Sequence, residues 1–594
     1  MTESLRHQAF LIAICAAVFL PNLGATHLWE EDEAYFGRTA REMLERHDLV
    51  VPWFNGEISL HKPILMYWVI IAGYQAFGVS EFAARFGSTL FGIGSVLLTY
   101  HLGRRLFSPG AGFWSGLILA TSLHFVVVSR AAVADPELIF FCTIPLLLFA
   151  SGTRLNRAGT TPSPIPPNRP ISGSELSWWG WAGAYAAMGA AVLTKGPVGC
   201  VLPTAGIGLF LLLCQADIPA PDRSGRLLAC AHWLWRVVHP FAIARTIWSM
   251  RPLTGVMILA VVALPWYAAV GYQTDGEWLR GFFLVHNVGR FVNSFESHRG
   301  GPLYYLVAIC IGTFPWCIWN YQSLRQAWAG LQTGNPDRPA YQLLLAWIGV
   351  WIAAFTLAGT KLPHYVLPTY PALAILFGAF VDAWLGRHFE TSRNWLRASW
   401  LTLILVGTGI LVVMPLVAQR YAPGEEILAL IGLIPLCGGV WGLWASEAEH
   451  RRQAAIVLAG VAALFSVTIL GWGAVRIDQH QKSHVVAGWL HELAPGAQPR
   501  LAALGCFEAS LAYYCNDNIR HVSNIDVVGL FAPGAEETYL ITTDRLLAGV
   551  PDPLPDGVAI LRETPRFLRP EKLLLIGRSD SPVRVVQSVS ALKP

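Results

Sequence analysis

The sequence predicts a polytopic α-helical membrane protein that carries a small α/β domain at its C-terminal end. Only 13% of its 594 residues are charged, against roughly 25% in ordinary soluble proteins. Apolar residues make up 54% of the chain, and its mean hydropathy is +0.46. So few charges cannot cover a surface that faces water, so most of the surface must face lipid. The chain has no run of five or six basic residues, so its charge pattern does not indicate a nucleic-acid partner.

Thirteen apolar runs are long enough, or nearly long enough, to cross the hydrocarbon layer, which takes about 20 residues of helix. They cover residues 8–24, 82–102, 111–129, 137–152, 178–194, 197–214, 253–272, 302–320, 341–358, 364–385, 398–417, 426–445 and 454–474. The run 63–78 is also apolar, but Lys62 and Pro63 open it and Gly78 closes it. We predict an interfacial or re-entrant segment there. If it crossed the membrane, the C-terminal region would change side.

The arginines and lysines between these runs favour one side of the membrane. They occur in every loop on the side of the N-terminus, whereas the loops of the other side carry fewer, interspersed with carboxylates. The positive-inside rule therefore predicts a cytoplasmic N-terminus and, after thirteen crossings, an external C-terminal region. HLWEEDE follows the first run instead of a small-residue cleavage site, so that run is predicted to be a retained helix.

Residues 480–594 differ from the membrane domain, which we place at 1–479. Short apolar runs (RLAALG, TYLITT, GVAIL and KLLLIG) alternate there with polar stretches, and a helix is predicted from Phe507 to Tyr514. This pattern is typical of a small α/β domain. Its Cys506 and Cys515 could form a disulfide outside the cell or remain two packing thiols. Upstream, TPSPIPPNRPISGS has the composition of a disordered linker.

The first predicted outer loop, 25–81, concentrates ionisable residues. Asp32 and Glu33 end the acidic run EEDE, which could also be a solvated acidic turn at a helix N-terminus. The following GRTAREMLER predicts a short amphipathic helix with Phe36, Met43 and Leu44 towards lipid and its arginines towards water.

Two further clusters lie at predicted outer helix ends. Asp135 and Glu137 stand at the mouth of one predicted span, where a carboxylate is costly and therefore indicates a functional role. Asp135 could instead simply cap the helix before a proline. Lys361, His364 and Tyr365 stand at the mouth of another, and Lys361 alone could be a snorkelling cation. Carboxylates, cations and aromatic residues on one membrane face indicate a site for an anionic, lipid-borne substrate.

The ordered motifs resemble the lipid A aminoarabinose transferases and their relatives. These are membrane glycosyltransferases that use polyprenyl-phosphate sugars and are akin to the protein O-mannosyltransferases. The matching stretches are DEAYFGRTAREMLERHDLVVPWFNGEISLHKPILMYW, RAAVADPELIFF, LTKGPVG, HNVGRF with HRGGPLYYL, and KLPHYVLPTYPALAIL, in order over about residues 8–385. The resemblance implies the GT-C fold, with thirteen spans and an external, periplasmic C-terminal α/β domain, in a bacterial inner membrane.

The resemblance also implies roles for individual residues. Asp32 and Asp135 fall on the family's two essential aspartates, with Glu33 beside the first. Lys62 and Tyr365 fall on residues that bind the lipid phosphate. Lys361 and His364 are further candidates for that phosphate.

A divalent metal, zinc or magnesium, is implied less directly. His286 matches a histidine that helps to hold it, but His61 stands where the family has a glutamate ligand. Tyr35 likewise replaces a phosphate-binding arginine. No organic cofactor is expected.

The expected reaction moves one sugar, with inversion, from polyprenyl phosphate to an acceptor. Phosphate departs readily once its charge is stabilised, so no general acid is needed. A hydroxyl acceptor would need a carboxylate base, preferably Asp32, whereas a phosphate acceptor would not. The expected partners are this donor, a lipid A-like glycolipid or a protein acceptor, and membrane lipid. A lipid-linked substrate transporter and a receptor or scaffold are the alternative classes, but neither explains carboxylates and lysines gathered at outer helix ends.

Overall fold

The computed structural model describes residues 2–29, 32–155, 170–216, 235–289, 300–332, 334–494, 500–524, 526–531, 538–550 and 554–578. Most of the predicted Pro-rich linker and the last sixteen residues lie outside these ranges.

The first half of the described chain is almost entirely helical. Its helices are α1 (Glu3–Phe19), α2 (Glu33–Glu45), α3 (Leu65–Phe77), α4 (Glu81–Leu106), α5 (Pro109–Ala120), α6 (Leu123–Ser129), α7 (Asp135–Gly152), α8 (Trp178–Lys195) and α9 (Val198–Gln215). A two-stranded hairpin, β1 (Trp53–Phe54) and β2 (Glu57–Ile58), joins α2 to α3.

The remaining membrane helices follow in chain order. They cover Pro240–Ser249, Pro252–Gln273, Glu277–Arg280, Tyr304–Gly312, Asn320–Gly330, Arg338–Leu357, Tyr370–Leu385, Arg393–Tyr421, Leu433–Glu447, Arg451–Val467 and Ala474–Asp478. Short 3₁₀ and π-helical turns extend several of them.

Nine helical stretches of the described residues are long and apolar enough to cross a membrane, and α5 with α6 makes a tenth that bends by 65°. The other three predicted spans coincide with α1, α8 and Tyr304–Gly312, which are shorter or less apolar. The segment predicted to be interfacial contains α3, whose 13 residues rise only about 20 Å. The predicted polytopic helical fold is thus confirmed, whereas the exact number of crossings stays a prediction.

One expectation about the outer loop is wrong. Phe36 and Met43 of α2 do not face lipid but are buried in the main hydrophobic core of the protein. Arg38, expected to face water, is 4% exposed, and its Nη1 donates a hydrogen bond to Asn516 2.7 Å away. The amphipathic pattern predicts the helix correctly. The C-terminal region, however, covers the arginine-bearing face of α2 that the pattern predicts to face water.

The C-terminal region folds as helices around a five-stranded sheet. The helices are Ser483–Leu493, Ala509–Cys515, Val527–Leu530 and Asp544–Leu547, and the strands are β3 (Arg500–Leu504), β4 (Arg520–Val522), β5 (Thr538–Thr543), β6 (Val558–Pro565) and β7 (Lys572–Arg578). The strand order is β4-β3-β5-β7-β6, with β4, β3 and β5 parallel and β7 antiparallel to both β5 and β6. Cys506 and Cys515 are not joined to each other by a disulfide.

Candidate active site

A polar chamber of about 840 Å³ lies between the membrane helices and the C-terminal domain. It brings together five of the residues predicted for the site. These are Asp32, His61, Lys62, Asp135 and His364. They come from four separate stretches of the sequence, so the convergence is a property of the fold. Each lies on a predicted outer loop or outer helix end, as expected.

Asp32 occupies the position before α2 but does not cap that helix. Its backbone carbonyl accepts the Phe36 amide at 2.9 Å, whereas its carboxylate makes no capping hydrogen bond. The side chain is exposed and lines the chamber. The local helix therefore leaves this carboxylate available to a ligand.

Asp135 begins α7, and its carboxylate does not cap that helix either. Its Oδ1 lies 2.6 Å from Nζ of Lys195, and both side chains are largely buried and line the chamber. Lys195 ends α8, where Gly196 turns the chain with a φ of 79° before α9 begins. A Cβ at Gly196 would stand 2.7 Å from Cζ of Phe282, so only glycine fits this turn without a shift.

Sequence reasoning did not assign a role to Lys195. The available signal was a lysine at the end of an apolar span, directly before Gly-Pro in LTKGPVG. A helix that stops there holds the lysine at a fixed depth. Taken alone, however, a lysine in a last turn also satisfies the helix dipole, so only the contact with Asp135 identifies it.

A second, mostly apolar cavity of about 300 Å³ adjoins the chamber. Tyr365 and His286 line it, together with aliphatic and aromatic residues of neighbouring helices such as Val201, Leu202 and Phe355. Three residues line both cavities. They are His61, Lys62 and Lys195.

Glu33 differs from its predicted place in the site. It does not line the chamber, is 4% exposed, and forms a buried ion pair with Arg85 at 2.8 Å. Its two oxygens also accept the backbone amides of Trp29 at 3.0 Å and Ala132 at 2.7 Å. Burial raises the pKa of Glu33, but the charge and hydrogen bonds of Arg85 with these two amides outweigh it and lower the pKa below its ordinary value. Glu33 thus fixes the loop beside Asp32.

Lys361 also lies outside both cavities. Its Nζ donates hydrogen bonds to the carbonyl oxygens of Thr356 at 2.7 Å and Ala358 at 3.0 Å. These carbonyls belong to the C-terminal end of the helix Arg338–Leu357 and the residue after it. The lysine therefore satisfies a helix end, whereas Tyr365, four residues later, reaches the apolar cavity.

The two positions that depart from the family pattern are in direct contact. The rings of Tyr35 and His61 stack with centroids 4.5 Å apart and planes 18° from parallel. The Tyr35 hydroxyl donates to Oγ of Ser59 at 2.9 Å, and burial raises the pKa of Tyr35 to about 12. Tyr35 therefore holds His61 at the place where the two cavities meet.

The histidines do not by themselves make a metal site. His61 and His286 meet edge to face with ring centroids 4.8 Å apart. Within the described ranges, no group of three or more His, Cys, Asp and Glu side chains is arranged to hold a metal ion. Catalytic zinc sites use three protein ligands, so these two imidazoles alone do not complete one.

Comparisons with known proteins agree with this architecture. Residues 6–272 match the family model described as dolichyl-phosphate-mannose-protein mannosyltransferase. The undecaprenyl phosphate-alpha-4-amino-4-deoxy-L-arabinose arabinosyl transferase of Edwardsiella ictaluri is 28% identical over 462 residues, covering 74% of this chain and 73% of that protein. An uncharacterized protein of Aquifex aeolicus is 26% identical over 514 residues, covering 86% of this chain and 87% of that protein.

The fold is also that of a solved structure. ArnT from Cupriavidus metallidurans, crystallised with undecaprenyl phosphate, superposes with a TM-score of 0.72 at 20% identity, covering 96% of this chain and 97% of that chain. The match extends through both the membrane helices and the C-terminal region. With its polytopic helical fold and these relatives, the chain is an integral-membrane glycosyltransferase that is similar to the lipid A aminoarabinose transferases.

Proposed function

We propose that this protein transfers a sugar from undecaprenyl phosphate to a glycolipid on the external face of a bacterial inner membrane. One observation carries the proposal: His61, Lys62 and Lys195 line both the apolar cavity and the polar chamber. A lipid-linked sugar has three parts of different polarity, and the two cavities with their shared border offer a place for each.

The prenyl chain would occupy the apolar cavity, where Val201, Leu202 and Phe355 supply aliphatic and aromatic surface. The phosphate would lie at the shared border, beside the cations Lys62 and Lys195. The Tyr365 hydroxyl would add a hydrogen-bond donor from the apolar side. Cations that stabilise the charge of the departing phosphate lower the barrier to its loss, because that charge grows in the transition state.

The sugar would then project into the chamber, between Asp32 and Asp135. Asp135 forms an ion pair with Lys195, with Oδ1 and Nζ 2.6 Å apart. Asp135 would therefore position that lysine and orient sugar hydroxyls. Asp32 has no capping hydrogen bond and lines the chamber. It is the better base for an acceptor hydroxyl, and it would orient the sugar if the acceptor is an anion.

The acceptor class is tested directly in cells. Mass spectrometry of membrane glycolipids and of external proteins, with and without this chain, should show a sugar lost from a glycolipid when the chain is absent. Cells that carry Asp32→Asn should resemble the deletion. An unchanged glycolipid profile would contradict the proposal.

The second candidate is a protein O-glycosyltransferase. The match of residues 6–272 to the protein mannosyltransferase family model favours it. In the same experiment it predicts sugar missing from external proteins while the glycolipids stay unchanged.

A further inference from the structure

The C-terminal domain supplies one complete wall of the chamber. Lys482, Phe507 and Glu508 line it, and so does the turn Arg566–Arg569 between β6 and β7. Within that turn Leu568 adopts a left-handed conformation with a φ of 58°, which non-glycine residues rarely take without a local constraint. The turn thus has a defined shape at the edge of the chamber.

Direct hydrogen bonds hold this wall against the outer loop. Nδ2 of Asn55 donates to the carbonyl oxygen of Ile519 at 3.0 Å, and the Ile519 amide donates to Oδ1 of Asn55 at 2.7 Å. The Tyr514 hydroxyl donates to Oε1 of Glu81 at 3.0 Å and accepts the Leu28 amide at 2.8 Å. Groups on the C-terminal domain therefore keep a fixed relation to the membrane part of the site.

The charge of this wall is predominantly positive. Arg566 is paired with Glu508 at 2.7 Å and with Glu571 at 3.5 Å. Lys482 and Arg569 form no ion pair with any carboxylate of the described residues, and Nζ of Lys482 donates instead to the carbonyl oxygen of Gln479 at 2.7 Å. Three cations thus face the chamber from this side against one carboxylate, Glu508.

The donor does not account for these cations. Its phosphate has Lys62 and Lys195 at the border with the apolar cavity, and its prenyl chain needs no charge at all. The wall that the C-terminal domain builds does not line the apolar cavity. Positive charge on that wall is suited to the other substrate.

We propose that Lys482 and Arg569 bind an anionic group of the acceptor, such as a phosphate on a membrane glycolipid. This rests on the proposed function and adds to it the residues that select the acceptor. Charge-assisted hydrogen bonds from a lysine and an arginine to a phosphate are among the stronger polar contacts. Held at this wall, the acceptor would lie on the part of the chamber that does not border the apolar cavity, and inversion requires its nucleophile to approach the sugar from the side opposite the departing phosphate.

The test uses the full-length protein in lipid nanodiscs and two probes that differ only in charge. The probes are bisphosphorylated lipid A and the same lipid after enzymatic removal of its phosphates. Wild-type protein should bind the phosphorylated form roughly tenfold more tightly or better, as expected when a charge-assisted contact is available to one form only. Lys482→Gln and Arg569→Gln should each lose most of that preference, and Arg569→Lys should restore part of it.

Arg562→Gln is the matched control, because Arg562 is an exposed arginine on β6, in the same hairpin, and does not line the chamber. It should bind both probes as the wild type does. Equal wild-type affinity for the two probes would overturn the inference, and so would an equal loss in Arg562→Gln. Undecaprenyl phosphate affinity should be the same in all variants. If wild-type protein failed to bind undecaprenyl phosphate, the proposed function would fail, whereas the acceptor measurement would still stand.

Discussion

Lys195 places its Nζ 2.6 Å from Oδ1 of Asp135, joining the end of α8 to the beginning of α7 inside the chamber. Both side chains are largely shielded from water, about 10% and 8% exposed. A buried ion pair is costly to break because the remaining partner keeps an uncompensated charge. The pair therefore both orders the two helix ends and fixes one carboxylate in the wall of the chamber.

The first prediction concerns the two aspartates. Asp32→Asn and Asp135→Asn keep the side-chain volume but remove the charge, and each should lower turnover by roughly two orders of magnitude, the scale of general base and positioning effects. Radiolabelled sugar transfer by purified protein measures this. Asp135→Asn should also lower the thermal unfolding midpoint, because it leaves Lys195 unpaired, whereas Asp32→Asn should not. Near-normal turnover in both variants would refute the placement of the active site.

The second prediction separates two lysines that looked alike in the sequence. Lys62→Ala should weaken undecaprenyl phosphate binding, because it removes a cation from the border of the two cavities. Lys62→Arg should rescue the binding only in part, since the two cationic groups differ in shape. Lys361→Ala should leave that affinity unchanged, because Nζ of Lys361 is committed to backbone carbonyls. Titration of each purified variant with undecaprenyl phosphate measures these affinities. A loss of affinity in Lys361→Ala alone would assign the phosphate to Lys361 instead of Lys62.

A third prediction assigns Glu33 to stability. Glu33→Gln should destabilise the protein by about 3–5 kcal/mol, the scale for breaking a buried pair, because Arg85 is left without its carboxylate. The pKa of Glu33 is lowered in the fold, so its contribution is complete above the ordinary value of 4.5 and is lost as pH falls through the lowered value. The difference in unfolding midpoint between wild type and Glu33→Gln should therefore be large at pH 7 and shrink in acid. A variant that melts normally but is inactive would instead make Glu33 catalytic.

The fourth prediction is topological. The distribution of arginines predicts that the C-terminal domain lies outside, together with the chamber that it covers. A phosphatase reporter that is active only in the periplasm should be active when fused after Pro594. Activity of a cytoplasm-only reporter at the same position would mean that one crossing has been miscounted.

Much of the candidate site could be predicted because its residues lie in loops and helix ends that the sequence places on one side of the membrane. Such ends share one face of the membrane, so Asp32, Lys62, Asp135 and His364 had to lie near that face. Burial along the chain was harder to predict. Lys361 stands at the same face yet bonds to a helix end, because nothing in a linear pattern shows which way a side chain turns.

The contribution of the C-terminal domain was missed for a different reason. Lys482 and Arg569 lie 87 residues apart in sequence, and only the folded sheet brings both to the chamber. Strand β4 was missed as well. It is three residues long, polar and mostly exposed, so it lacks the apolar alternation by which strands are found.

Tyr35 and His61 are the two positions at which the sequence departs from the motifs of the aminoarabinose transferases that it resembles. In the structure the two side chains are in direct contact. Sequence comparison treats the missing arginine and the missing glutamate as separate losses. In the structure the replacements stack on each other, and the hydroxyl of Tyr35 anchors the pair through Ser59. The aromatic pair thus takes the place of two charges of opposite sign.

The packing around Gly37 has a consequence for engineering. A Cβ at Gly37 would lie 2.8 Å from Cδ1 of Leu28, 3.1 Å from the Tyr74 hydroxyl and 3.2 Å from Cε2 of Tyr513. Tyr513 belongs to the C-terminal domain but is buried in the core of the membrane domain. A chimaera that exchanges the C-terminal domain alone would keep this junction only if the incoming domain placed a side chain of the same shape at the position of Tyr513. Grafting the first outer loop and the C-terminal domain as a single cassette would keep the residues of this junction together, and would move the donor and acceptor residues as one unit.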